Sequence, residues 1–266
     1  MNDQPVKDLC AALRAVAETL ADDGALAGEA RRLADLLERP VRIALSGEFS
    51  SGKSTLANLI TGSRLVEASV LPTELPPIIF HPGAKGAIRR GWWGEPAKIS
   101  TAEADLKAIA ARDYDFLYVT APSMQLRGLE LIDLPGLNDP GRSDAVTLAA
   151  AAMADGLVWC THAVNAWRES ERHNCLKLGH SRNGRAILAV THIDLAAVSS
   201  ALPRLLRRLQ GDAGKFFRTI CAVSTPEGIA AQSPTGTISD PIAWEKSGAK
   251  ALFAAIGAMA DDIMAE

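Results

Sequence analysis

Long apolar runs, clustered cysteines and a strong net charge are all missing from this chain of 266 residues. A membrane-crossing helix needs about 18 uninterrupted apolar residues, and no such stretch occurs. The nearest, residues 145–164, is broken by Asp155 and Gly156 and reads as a helix end followed by a strand. The N-terminus carries Asp3 and Asp8 in an alternating polar pattern, so it lacks the basic start and apolar stretch of a secretory signal. Cys10, Cys160, Cys175 and Cys221 are scattered without metal-ligand spacing, which predicts buried, reduced thiols. His81, His162, His173 and His180 have no ligand-like spacing either, and they are read as surface or core histidines. No Ser-His-Asp or Cys-His arrangement supports covalent catalysis. A formal net charge of −3 shows no global nucleic-acid footprint. The expectation is a cytoplasmic protein with no transmembrane segment and no nucleic-acid partner.

Apolar residues make up 48% of the chain and charged residues 22%, ordinary values for a globular protein with a full core. In the first 39 residues, Leu9, Leu13, Val16 and Leu20 recur at helical spacing. Asp22-Asp23-Gly24 breaks the run, and Leu26, Ala30, Leu33 and Leu37 resume it before Pro40, which predicts a helical hairpin. From Val41 onward apolar runs alternate with helical segments: 41–45, 76–80 and 86–90 with a turn between the last two, then 128–133, 157–164, 186–191 and 219–223. Such alternation predicts a mainly parallel sheet with helices on both faces. In the tail from Glu245, Leu252, Ile256, Met259 and Ile263 predict a final amphipathic helix. Trp92 and Trp93 are read as hairpin packing, with contact to a partner or a membrane surface as the alternative, and Arg89 and Arg90 as a solvated face.

Residues Gly47-Glu48-Phe49-Ser50-Ser51-Gly52-Lys53-Ser54 fit G-x-x-x-x-G-K-[ST] at every fixed position. Each fixed position answers a physical need. Glycines let the backbone wrap, successive N–H groups face an anion, the lysine reaches the outer phosphates, and the serine hydroxyl binds Mg²⁺. The strand 41–45 precedes this loop, and a helix opened by Thr55 and stopping at Gly62 follows, so the phosphates sit at a helix N-terminus. The expected architecture is therefore the three-layer α/β fold of P-loop NTPases, with the helical hairpin before it and the amphipathic helix after it.

Two further constellations sharpen the chemistry. Asp133 and Gly136 of Leu131-Ile132-Asp133-Leu134-Pro135-Gly136 form D-x-x-G at a strand end, placing a carboxylate near the metal shell and a glycine amide near the γ-phosphate. Thr73, in Leu71-Pro72-Thr73-Glu74, is a candidate second hydroxyl on the metal. Thr191-His192-Ile193-Asp194 follows the strand 185–190, where a carboxylate can accept from N1–H and the exocyclic amine of guanine. Adenine offers an acceptor at N1 instead, so Asp194 predicts guanine by rejecting the alternative. Ser224, after Ala222-Val223, is expected to present backbone amides to the guanine carbonyl. The implied ligands are GTP or GDP with Mg²⁺, the metal held by Ser54, Thr73 and Asp133, and the implied reaction is phosphoryl transfer to water by positioning and electrostatics.

The run from Gly47 to Asn58, the Leu71-Pro72-Thr73 loop, Asp133-Leu134-Pro135-Gly136 and Thr191-His192-Ile193-Asp194 resemble the GTPase domain of the dynamin superfamily, closest to bacterial dynamin-like proteins. Trp167-Arg168-Glu169-Ser170-Glu171-Arg172 resembles the stretch after that family's fourth core strand. The resemblance implies Mg²⁺-dependent GTP hydrolysis activated by transient pairing of two such domains across the nucleotide. It makes Lys53, Ser50 and Thr73 the candidates for catalysis, with Ser50 at the position that helps to hold a monovalent cation, K⁺. His192 stands where the family has lysine, and Phe49 where eukaryotic dynamins carry a polar residue that positions water, so a slow or inactive GTP-binding scaffold is the alternative. The resulting division is a helical segment at 1–39, a GTPase domain at 40–244 and a helix at 245–266 packed with the N-terminal helices. About 38 residues before the domain and about 40 after its last strand are too few for a long helical stalk at about 1.5 Å per residue. The expected protein is a stalkless switch, with a larger dynamin-like protein as a candidate partner.

Overall fold

The computed structural model describes residues 4–20, 23–62, 76–83, 87–92, 98–99, 115–121, 128–137, 144–179 and 184–265. The chain forms two compact units, Met1–Pro40 and Val41–Glu266.

In the first unit, α1 (Gln4–Thr19) and α2 (Gly24–Glu38) form the expected hairpin. Asp23 caps α2 by accepting from the Leu26 N–H, satisfying one of the orphan donors of its first turn. The helices meet on small side chains: Cys10, Ala17, Ala27, Ala30 and Ala34 are buried, whereas Leu9, Val16, Leu26, Leu33 and Leu37 stay 42–56% exposed. The apolar periodicity therefore located the helices, but the seam lies on a neighbouring stripe. Small residues let two helices approach closely, and Arg14 closes the side of the seam onto Asp35 and Glu38.

The second unit is built on β1 (Val41–Gly47), α3 (Lys53–Thr61), β2 (Ile78–Pro82), β3 (Ala87–Trp92), β4 (Lys98–Ile99), β5 (Phe116–Ala121), β6 (Leu129–Asp133), α4 (Asp144–Ala151), β7 (Gly156–His162), α5 (Glu169–Lys177), β8 (Ala186–Thr191), α6 (Ala196–Ser199), α7 (Leu202–Asp212), β9 (Thr219–Ala222), α8 (Thr225–Ala230), α9 (Pro241–Lys246) and α10 (Ala249–Ala265). One sheet takes the order β4-β3-β5-β2-β6-β1-β7-β8-β9. The run β6-β1-β7-β8-β9 is parallel throughout. β2 crosses antiparallel to β6, and β3 is antiparallel to both β5 and β4. This is the expected three-layer P-loop NTPase fold, mainly parallel with both faces covered.

Alternate residues of the central strands feed two cores. On one face Ile43, Leu45, Val158 and Ile187 meet Leu56 and Leu59 of α3 and Leu252, Ile256 and Met259 of α10. On the other, Ala44, Ile132, Trp159 and Leu188 meet Ala150 of α4, Cys175 of α5 and Leu209 of α7. Strands covered on both faces read as continuous apolar runs, which is why the parallel ones were legible. The final helix begins at Ala249 rather than Glu245, because Gly248 takes φ +79° between α9 and α10.

The turn expected between 80 and 86 does not make a hairpin. β5, which the apolar runs did not reveal, inserts between the two strands: it pairs parallel with β2 and antiparallel with β3. A polar cluster ties these outer strands to the parallel core. Glu130 of β6, 2% exposed, accepts from Arg42 of β1 at 2.7 Å and Tyr118 of β5 at 3.0 Å, and meets His81 of β2 at 3.0 Å. A carboxylate buried in an apolar strand requires such partners. Burial, and then the neighbouring Glu130, push the Tyr118 hydroxyl well above its usual range. All four cysteines are buried free thiols. Among the described residues no helix is long and apolar enough to cross a membrane. Thr73, Trp93 and His180 lie outside the described residues.

Candidate functional site

The carboxyl ends of β6, β1, β7 and β8 converge, the usual place for a ligand in an open α/β sheet. Pairing sets the register: Leu45 opposite Asp133, Gly47 opposite Cys160, His162 opposite Thr191. The loop Glu48–Gly52 leaves β1 and turns into α3.

Two glycines permit that turn. A Cβ on Gly47 would come within 2.6 Å of the Cys160 carbonyl oxygen. Gly52 has φ +80°, and a Cβ there would lie 2.8 Å from Cε1 of His192. Ser50 also adopts a left-handed conformation, φ +59°, which costs a non-glycine residue energy and marks a conformation imposed by the loop. The first helical bond of α3 runs from the Leu56 N–H to the Gly52 carbonyl, so the N–H groups of Lys53, Ser54 and Thr55 stand at the helix N-terminus without helical acceptors. Such a terminus favours an anion, and the glycine-lined turn leaves room for backbone to approach it. The cradle fits a polyphosphate.

Lys53 Nζ lies 2.7 Å from Asp133 Oδ1, the two side chains only 13% and 6% exposed. The lysine of the loop and the carboxylate of D-x-x-G thus share one point at the loop mouth. Gly136 lies beside the loop as well: its Cβ position is 3.7 Å from the Phe49 nitrogen, and the bridge between Glu48 and Leu137 extends the sheet past the strand ends. Phe49 is 52% exposed.

Thr191 joins the base-reading segment to the phosphate loop. Its buried hydroxyl donates to the Ser51 carbonyl at 2.7 Å, reaching past β7, the strand between them. His192 follows at φ +60° and is half-buried. Burial first, then the neighbouring His162, hold its imidazole below the ordinary histidine value, with Asp194 opposing. Asp194 is exposed in the turn beyond.

Ser224 requires a correction. The Val223 N–H donates to the Val190 carbonyl and the Ser224 N–H to the Ser247 carbonyl at 2.8 Å, and Ser224 is fully buried. Both amides are consumed in fixing β9 and α8, so neither faces a base. Thr73 lies outside the described residues, whereas Gly47–Thr55, Asp133, Gly136 and 191–194 are brought together.

The 167–172 stretch, to which the sequence motifs gave no role, carries a second layer. Glu171 of α5, 3% exposed, accepts from the Thr161 hydroxyl at 2.9 Å and the Arg168 N–H at 3.0 Å, while Thr161 Oγ1 accepts from the Trp167 N–H. These bonds hold Trp167 at φ +60° in the turn after β7. Burial pushes the Glu171 carboxyl above its ordinary range, with a smaller push from Glu48, against the pull of those donors. A capping Glu three residues after Arg168 was the available signal.

The Dynamin family model matches residues 43–194. Dynamin-like protein 2 of Campylobacter jejuni (subsp. jejuni, serotype O:23/36, strain 81-176) is 28% identical over 218 residues, covering 79% of this chain and 35% of its own length. The chain thus spans about a third of that relative. A solved structure from an oligomerised bacterial dynamin pair, described as a mechanism for long-range sensing and tethering of membranes, superposes with a TM-score of 0.62 at 19% identity, over 91% of this chain and 39% of that one. LeoA, a bacterial dynamin GTPase from ETEC, superposes with a TM-score of 0.52 at 16% identity, over 98% of this chain and 45% of its own.

Proposed function

Because the chain belongs to the dynamin family, we propose that it binds GTP with Mg²⁺ and hydrolyses it to GDP and phosphate. The observation that carries this reading is the shared point of Lys53 and Asp133, 2.7 Å apart at the mouth of a loop whose far side Thr191 ties to the base-reading segment.

Entry of nucleotide makes Lys53 exchange Asp133 for the outer phosphate oxygens, which frees the carboxylate to join Ser54 and Thr73 in holding the metal. Bound Mg²⁺ supplies charge neutralisation on the transferring phosphoryl group. The N–H groups of Lys53, Ser54 and Thr55 donate to phosphate, and Gly136 reports the third phosphate through its amide. Asp194 accepts from the two guanine donors and repels adenine N1. With apolar Phe49 unable to orient water by hydrogen bonding, loop order comes from transient pairing of two copies across the nucleotide face, with K⁺ at Ser50 offsetting phosphate charge. The cellular role we assign is a nucleotide-dependent switch in the cytoplasm, working with a larger dynamin-like partner.

A second reading rests on Phe49, half-exposed at the loop tip, and on His192 in place of lysine: a slow or inactive GTP-binding scaffold. Phosphate release measured against protein concentration, with GTP and ATP side by side and K⁺ against Na⁺, separates the two. The switch reading expects GTP-specific turnover that rises with concentration and is faster in K⁺. GTP binding with flat, negligible turnover leaves the scaffold, and equal binding of ATP removes both.

A further inference from the structure

His162, the last residue of β7, belongs to no motif, yet it stands directly behind the base-reading segment. Its ring stacks on that of His192 with centroids 4.0 Å apart and planes 16° apart. Hydrogen bonds define both rings. His162 Nδ1 accepts from the Val164 N–H at 3.2 Å, so its neutral ring carries hydrogen on Nε2. The single hydroxyl hydrogen of Thr191 has two carbonyl acceptors in reach, Ser51 at 2.7 Å and Thr161 at 3.2 Å. With that hydrogen on a carbonyl, Thr191 Oγ1 accepts from His192 Nδ1, 2.9 Å away, which fixes the ring by its edge. The two imidazoles are held face to face, and Gly52 abuts the edge of the His192 ring. The left-handed backbone of His192 shows that the surroundings impose this placement.

A lysine at position 192 would carry a long stem able to lie along a purine unaided. An imidazole is shorter, and its use as a flat surface depends on what fixes its plane. We propose that His162 is a positioning residue for the nucleobase, acting through His192: it holds that ring as a flat platform on which the guanine face stacks while Asp194 reads the guanine edge. The division of labour is chemical. Stacking favours a large π-face, purine over pyrimidine, and the carboxylate then separates guanine from adenine.

This inference rests on the nucleotide-binding reading, and its test keeps the two apart. Dissociation constants for GDP and CDP are measured by calorimetry on wild type, His162→Ala and His162→Phe, with the melting temperature of each nucleotide-free protein. Loss of the backing ring should weaken GDP by about five-fold and CDP by less than about two-fold, since the smaller base has less face to stack. His162→Phe, which keeps a flat ring without the titratable nitrogen, should return GDP affinity to within about two-fold of wild type. GDP affinity unchanged in His162→Ala overturns the inference and leaves nucleotide binding intact. Equal losses for GDP and CDP, or no rescue by phenylalanine, also overturn it, because they mark general damage to the strand end. A wild type that binds no GDP overturns the nucleotide reading itself.

Discussion

At the proposed phosphate end of the site, the inferred recognition runs mainly through main chain: Gly47 and Gly52 shape the turn, the N–H groups opening α3 have no helical acceptors, and Lys53 brings the cation. At the proposed base end it runs through side chains: Thr191 anchors, His192 and His162 form a stack, and Asp194 stands exposed beyond them. The first arrangement tolerates little change, because φ +80° at Gly52 and 2.8 Å from its Cβ position to His192 admit no other residue without movement. The second, on our proposal, accepts histidine in place of lysine because a neighbouring strand supplies a second ring. Backbone recognition constrains a few positions severely, whereas side-chain recognition can be rebuilt from different residues.

The largest expected effect is at the phosphate end. Lys53→Ala removes the cation that meets phosphate and leaves Asp133, 6% exposed, as an uncompensated carboxylate. The nucleotide-free protein should lose about 3 kcal/mol in urea unfolding, and GTP binding by calorimetry should vanish. Wild-type GTP affinity in this variant would show that the contrast between the two ends has been drawn in the wrong place.

Next comes base choice. At about 100 times its dissociation constant, GDP should stabilise the wild type by about 2.7 kcal/mol. ADP at the same concentration should do markedly less. Asp194→Ala should erase the difference in thermal melting. Equal shifts with both nucleotides in the wild type would remove the role given to this carboxylate.

The link between the ends is Thr191. Thr191→Val keeps the shape but strips the Ser51 carbonyl and His192 Nδ1 of their partner, so stability should fall by about 1–3 kcal/mol. Because one hydroxyl serves both ends, phosphate and base affinities should weaken together. Loss of base discrimination alone would mean that the ends are independent.

The smallest effect is titration at the base end. His192 is held neutral below its ordinary value of 6.5, so as pH falls past 6.5 the unfolded chain takes a proton before the folded one does. Stability is full above that value and declines from 6.5 down to the folded value, modestly because the ring is half-exposed. His192→Asn should flatten this part of the profile in denaturant titrations between pH 7.5 and 5.5. An unchanged slope would assign the dependence to other groups.

The same contrast explains what could be read in advance. The phosphate loop, D-x-x-G and the 191–194 segment are each short runs of contiguous residues with fixed spacing, and the structure gathers them. Ser224 was misjudged because strand-end position does not reveal whether an amide is free, and here Ser247, from a later turn, had taken it. β5 was missed because Phe116–Ala121 alternates only weakly in burial and its partners, β2 and β3, lie far upstream.

By itself the chain determined the order of strand, glycine loop and helix, the parallel core and the helical hairpin, since propensity, apolar periodicity and glycine φ requirements are local. Only the tertiary structure decided which stripe of α1 and α2 would meet, that β5 would part β2 from β3, that Glu130 would collect donors from three other strands, and that His162 would stand behind His192. Each of these pairs residues distant along the chain, and the energy that selects them, close packing and the satisfaction of buried polar groups, exists only once those residues are brought together.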